Sequence, residues 1–170
     1  QTWSEVAFFS DKDLLMSNID VDSSNPDIVY AGTANTQPYK STDGGDNWQL
    51  ISTGINEAST YSITVDPSDG NRLIAGTWGD KYYLSTDGGE NFSEVLNLGD
   101  YSDANPFPVS FDVEDSLTVY AGSCAPVTNA TGYKSEDGGE TWGALPDTGQ
   151  TGAPCPLLAD KEYSGRINAV

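Results

Sequence analysis

The chain has 170 residues, 36% of them hydrophobic, and sets 26 acidic side chains against 7 basic ones for a net charge of −19, with no histidine. That length supports one domain with its own core, while the negative surface repels phosphate backbones and anionic headgroups and so argues against nucleic acid and membrane-surface partners. Without histidine the usual zinc ligand and neutral-pH base are missing, no cofactor or metal is expected, and any catalysis would rest on carboxylates. No apolar run approaches the ~20 residues of a membrane span. The acidic excess reads first as solubility in a salty setting, ahead of a specific cationic partner.

Gly, Pro, Ser, Thr, Asn and Asp recur every few residues and the apolar runs between them are short, which predicts an all-β chain with many turns. In chain order, the first strands expected are "NIDV" and "IVYAGT", then a third ending at Ser41 and a fourth, "WQLIS". The set returns as "SITV", "RLIAGT", a strand ending at Ser85, and "FSEVL". It returns again as "SFDV", "TVYAGS", a strand ending at Ser135, and "WGALP". The aromatics closing the units, Trp48, Phe92 and Trp142, recur at a spacing in the mid-forties with one longer step. Four strands per unit at that period predicts β-propeller blades; a flat sandwich gives no reason for the repeat.

The turn between third and fourth strands reads "STDGG", "STDGG" and "SEDGG". Asp43, Asp87 and Asp137 are expected to accept hydrogen bonds from following amides, and the glycines to supply positive φ. The aromatic after each turn is expected to tuck beneath the hairpin. "DGGD" also suggests calcium, but the alternate oxygen ligands and distal Glu of an EF-hand are missing. The sets Ser41-Asp43-Gly45-Trp48, Ser85-Asp87-Gly89-Phe92 and Ser135-Asp137-Gly139-Trp142 resemble the Asp-box, or bacterial neuraminidase repeat. With "VYAGT" before them, the units resemble blades of secreted propellers: sialidases, xyloglucan-degrading endoglucanases, sortilin-type receptors and photosystem assembly factors. The resemblance implies a β-propeller whose Asp-boxes are fold elements away from the active face.

The expected organisation is an outer strand of a preceding blade at 1–10, blades at 16–53, 61–98 and 108–147, and an inner strand of a following blade at 165–170. "QTW" lines up with "DNW", "ENF" and "ETW", and "GRINAV" with "YSITV". Three blades are fewer than the roughly four to eight of a closed ring. The chain is therefore read as an excerpt completed by further blades, with neighbouring copies pairing at open edges as the alternative.

Variable loops share one face of such a propeller, and specificity is expected there. Trp78 in "GTWGDK" is a candidate to stack on a sugar ring, with packing between blades as the competing role, and Lys81 and Tyr101 lie in the same loop set. Asp80, Asp103 and Asp160 are weak candidates for a glycosidase carboxylate pair, with Glu162 nearby. Sialidases implied by the resemblance use an arginine cluster, and only Arg72 and Arg166 exist here. Xyloglucanase-like enzymes carry an acidic residue after the second strand, which Asp80 matches imperfectly. Cys124 and Cys155 fall on this face, and a disulfide between them is preferred over two free thiols. Asn129 stands in a loop sequon suited to glycosylation, and Asn91 in one inside a turn. The leading reading is an extracellular binding or structural module at a cell surface, with a carbohydrate or protein partner. The alternatives are part of a secreted glycoside hydrolase and a self-assembling surface subunit.

Overall fold

The computed structural model describes residues 15–57, 59–79, 81–98, 109–122, 132–145, 157–159 and 167–169, and each regular element among them is a β-strand. Three antiparallel meanders follow one another. Blade I comprises β1 (Met16–Val21), β2 (Val29–Thr33), β3 (Tyr39–Ser41) and β4 (Gln49–Leu50). Blade II comprises β5 (Thr60–Asp66), β6 (Asp69–Thr77), β7 (Lys81–Ser85) and β8 (Ser93–Asn97). Blade III comprises β9 (Ser110–Phe111), β10 (Val119–Ala121), β11 (Tyr133–Ser135) and β12 (Gly143–Ala144). In each, successive strands pair in chain order, and one bridge, Thr33 to Thr60, links blades I and II. These are β-propeller blades.

The core lies between the blades. Tyr30 of blade I packs with Ile63, Val65, Leu73, Ala75, Tyr83 and Phe92 of blade II. On the opposite side of blade II, Ile74, Tyr82 and Leu84 pack with Val109, Phe111, Val119 and Ala121 of blade III. Successive β6 side chains therefore enter different seams. A sheet covered on both faces needs an unbroken apolar run, as "LIA" in β6 supplies.

The turn between first and second strands hangs on a buried aspartate. Asp22 Oδ1 accepts from Ser24 N at 2.8 Å, Asp66 Oδ1 from Ser68 N at 2.7 Å, and Asp112 Oδ1 from Glu114 N at 2.9 Å. This corrects the reading of the third unit. The strand takes only the first half of "SFDV", Ser110–Phe111, and Phe111 pairs with Val119 as Val21 pairs with Val29. Val109 and Phe111 are the inward residues, while Asp112 starts the turn and Val113 is exposed.

A fourth unit begins beyond blade III. β13 (Leu157–Ala159) pairs with β14 (Ile167–Ala169) as Leu157↔Ala169 and Ala159↔Ile167. That register repeats Ile63↔Ala75 and Val65↔Leu73 of blade II. β14 lies in the stretch expected as an inner strand, and its described partner is β13. β13 arises in a stretch read as loop and lies alongside β9 and β10.

The three Ser-x-Asp-x-Gly turns share one network. Ser85 Oγ donates to Asp87 Oδ1 at 2.8 Å and accepts from Gly89 N at 2.9 Å. The same bonds recur from Ser41 to Asp43 and Gly45, and from Ser135 to Asp137 and Gly139. The indole N–H groups of Trp48 and Trp142 donate to the Gly45 and Gly139 carbonyls, at 2.8 and 3.0 Å. Each carboxylate also accepts from the amide four residues on. The glycines answer a second demand besides φ. A Cβ on Gly89 would stand 2.9 Å from Ile51 Cδ1 of blade I, and one on Gly139 2.5 Å from Ile74 Cδ1 of blade II. The turn is thus also the point at which one blade seats on the preceding one.

Candidate functional site

Tyr61, near the start of β5, and Trp78, just after β6, stand at the same end of blade II because Thr60 pairs with Thr77. The Trp78 amide donates to Ser59 O at 3.1 Å, and Gly79 at φ +84° turns the chain back into β7. Thr77 Oγ1 closes that turn by donating to Lys81 O at 3.2 Å. Trp78 keeps 36% of its surface exposed, and its ring centroid lies 5.8 Å from that of Tyr61 at an interplanar angle of 34°. The indole is therefore laid against its own blade. Beside it Lys81 Nζ meets Glu57 Oε1 at 2.5 Å, a hydrogen bond that raises the amine's pKa.

Tyr61 also lines a recess of about 350 Å³ along the inner strands, with Asn18, Asp20 and Thr64. Asn18 there imitates a strand. Its Nδ2 donates to Ile63 O at 2.7 Å, and its Oδ1 accepts from Ile63 N at 3.0 Å. Asp20 Oδ2 accepts from Val65 N at 2.9 Å and Thr64 Oγ1 at 3.0 Å. These side chains stitch β1 to β5 across the seam, so the polar wall of the recess is held rigidly.

Of the expected ligand-site residues, Trp78, just after β6, and Lys81, at the start of β7, are among those described. Asp80, Tyr101, Asp103, Asp160, Glu162, Cys124, Cys155, Asn129 and positions 1–10 lie outside the described residues, and with them the carboxylate pair, the disulfide and the loop glycosylation site. Asn91 is engaged in its turn, where Nδ2 donates to Asp87 Oδ2 at 2.8 Å. Tyr61 was not among the sequence candidates. The signal for it was available, since an aromatic near the start of the first strand must meet whatever ends the second. Every carboxyl whose pKa shift is resolved moves down. Asp22 is lowered first by the Ser24 hydroxyl, Asp43 by Asn47, Asp87 to about 2 by Asn91, and Asp137 to about 2 by Thr141. These hydrogen-bonded anions are poor general acids, which need a raised value. Among the described residues no three His, Cys, Asp or Glu side chains converge to hold a metal ion. The site offers an aromatic surface, an ion pair and a polar recess, the components of a binding face.

Residues 36–155 match the profile of the Sortilin-Vps10 family, described as "Sortilin, neurotensin receptor 3". No curated protein is significantly similar. Among solved structures, an ancestral GH74 enzyme superposes with a TM-score of 0.67 at 17% identity, over 77% of this chain and 18% of that one. The GH74 xyloglucanase from Xanthomonas campestris gives 0.64 at 19% identity, over 92% and 24%. YCF48 bound to a D1 peptide gives 0.60 at 15% identity, over 85% and 44%. The chain spans less than half the length of each of these proteins, and the likeness is one of fold.

Proposed function

The chain belongs to the Sortilin-Vps10 family, and from that premise we propose that it is a binding module of a secreted or cell-surface β-propeller, with its ligand face at the loop end of blade II. The Ser-x-Asp-x-Gly turns are Asp-boxes in this reading, and their networks are consumed by the fold at the opposite end. The observation that carries the proposal is the partly exposed Trp78 indole braced on Tyr61 beside the Glu57–Lys81 pair. A broad apolar surface edged by fixed polar groups suits a sugar ring, which pairs a C–H face with peripheral hydroxyls. The fold shared with a xyloglucanase supports a glycan as the first ligand to test.

Calorimetric titration of the chain with a xyloglucan oligosaccharide tests this. Trp78→Ala is expected to abolish measurable heat, and Tyr61→Ala to weaken binding about tenfold through loss of the bracing ring contact. Unchanged affinity in Trp78→Ala, with the fold intact by circular dichroism, would refute the assignment. Release of reducing ends by the chain would favour the hydrolase reading instead, to be traced through Asp80, Asp103 and Asp160.

A further inference from the structure

Three positions at the loop end of blade II depart from blade I. Tyr61 stands in the register shift between Thr60 and Ser62, where blade I has Ser17 between Met16 and Asn18. Trp78 follows Thr77 where Ala34 follows Thr33, and Lys81 stands where blade I has Gln37. The turns fix that last equivalence, because Thr77 Oγ1 donates to Lys81 O at 3.2 Å as Thr33 Oγ1 donates to Gln37 O at 3.3 Å. Gln37 spends its side chain on the backbone, donating from Nε2 to Ile55 O at 3.1 Å. Lys81 reaches a carboxylate instead, Glu57 Oε1 at 2.5 Å.

The linker that delivers Glu57 is clamped. Ile55 is buried in the core between blades I and II, and its amide donates to Ser52 O at 3.0 Å. The Phe92 amide donates to Thr53 O at 2.8 Å, and Gly54, at φ +93°, lies against the Phe92 carbonyl where a Cβ has no room. The Glu57 charge is therefore fixed in place, and it is felt by Tyr83, whose phenol pKa is raised first by burial and then by Glu57. Both partners stay partly open, with 22% of the Lys81 side chain and 25% of the Glu57 side chain exposed. Among the described residues Lys81 is the cation of this end. Lys40, Arg72 and Lys134 stand at the turn end, beside Gly88, Gly138 and Glu136.

We propose that Glu57 is a charge filter on the Trp78 face: by neutralising Lys81 it admits neutral sugars and turns away sugars that carry carboxylate groups. This specificity rests on the ligand face proposed above. An ammonium has three donors and a carboxylate two oxygens, so the pair can serve a ligand without coming apart. A hydroxyl donates and accepts at once and suits both members. A uronate carboxylate can use only the ammonium, and to reach it must stand beside the Glu57 anion on a chain of net charge −19. Removing the Glu57 charge leaves Lys81 a bare cation that attracts anions in a salt-dependent way.

The test is calorimetric titration of the chain with trigalacturonate and with the neutral xyloglucan oligosaccharide. The parent chain is expected to bind the neutral sugar and to hold trigalacturonate at least about tenfold more weakly. Glu57→Gln, with its fold checked by circular dichroism, should gain about tenfold for trigalacturonate. That gain should shrink as salt is raised and vanish when Lys81→Met is added. Equal affinity of the parent chain for the two sugars, or no gain in Glu57→Gln, would overturn the filter even where Trp78→Ala abolishes binding of the neutral sugar. A gain of trigalacturonate by Glu57→Gln in a chain that ignores the neutral sugar would uphold the exclusion of anions and refute the Trp78 face as a platform for neutral sugars.

Discussion

The joint between blades I and II makes a quantitative prediction about the Gly88 carbonyl. Two donors reach it, the fully buried Tyr30 hydroxyl at 3.1 Å and the Lys40 ammonium at 2.8 Å. Tyr30→Phe removes one neutral bond and leaves the carbonyl paired, a loss of about 1 kcal/mol. Lys40→Met removes a charge-assisted bond and the cation's contact with the Tyr30 ring, together about 2 kcal/mol at a partly exposed site. In the double variant the carbonyl has neither donor. The cost of an unpaired buried acceptor, at least about 1 kcal/mol, is then added to both single losses. The double variant should therefore lose about 4 kcal/mol against about 3 for the sum, a coupling near 1 kcal/mol in a double-mutant cycle. Urea denaturation followed by tryptophan fluorescence measures all four proteins. Additivity would refute the reasoning, since it would mean that the donors do not share an acceptor.

The turn carboxylates predict an acid limb. Asp87 and Asp137 are held near 2, and Asp43 below its usual value, chiefly by side-chain bonds from Asn91, Thr141 and Asn47. Groups depressed on folding stabilise fully above their unfolded value of 3.8 and lose that contribution as pH falls toward 2. Stability against urea should drop across that window, and Asp87→Asn should flatten the drop. The turn glycines predict a graded series. Gly45, Gly89 and Gly139 have φ of +100°, +87° and +97°, so alanine is strained at each. Among the described residues the added Cβ strikes an isoleucine of the preceding blade at Gly89 and Gly139, while at Gly45 its nearest contact is its own Trp48 at 3.6 Å. Gly89→Ala and Gly139→Ala should cost about 2–4 kcal/mol and Gly45→Ala about 1–2. Equal losses by thermal or urea denaturation would refute the seam contact.

What was legible in the sequence is what each blade must do for itself. The serine, aspartate and glycines of the third turn bond within one hairpin, so their spacing carries the geometry. The second strands show as apolar runs because both their faces are covered. Legibility failed where the anchor of a unit is polar. The third and fourth units were aligned on apolar residues, whereas the residue that marks register is the aspartate opening the first turn. Counting seven residues from that aspartate to the end of the turn, Asp22 to Ile28, Asp66 to Arg72 and Asp112 to Thr118, puts Phe111 with Val21 without any gap.

The seams were not legible for a different reason. Tyr30 and Lys40 serve a carbonyl 48 or more residues away, and nothing within one unit reveals whether the following unit will meet a Tyr–Lys pair or the Ile–Leu pair of blade II. The same holds for Trp78, which blade I replaces by Ala34 at the matching position after β2. The features shared by all units are therefore spent on the blade itself. Those that differ, the polar joint and the aromatic loop, are where one blade departs from the next.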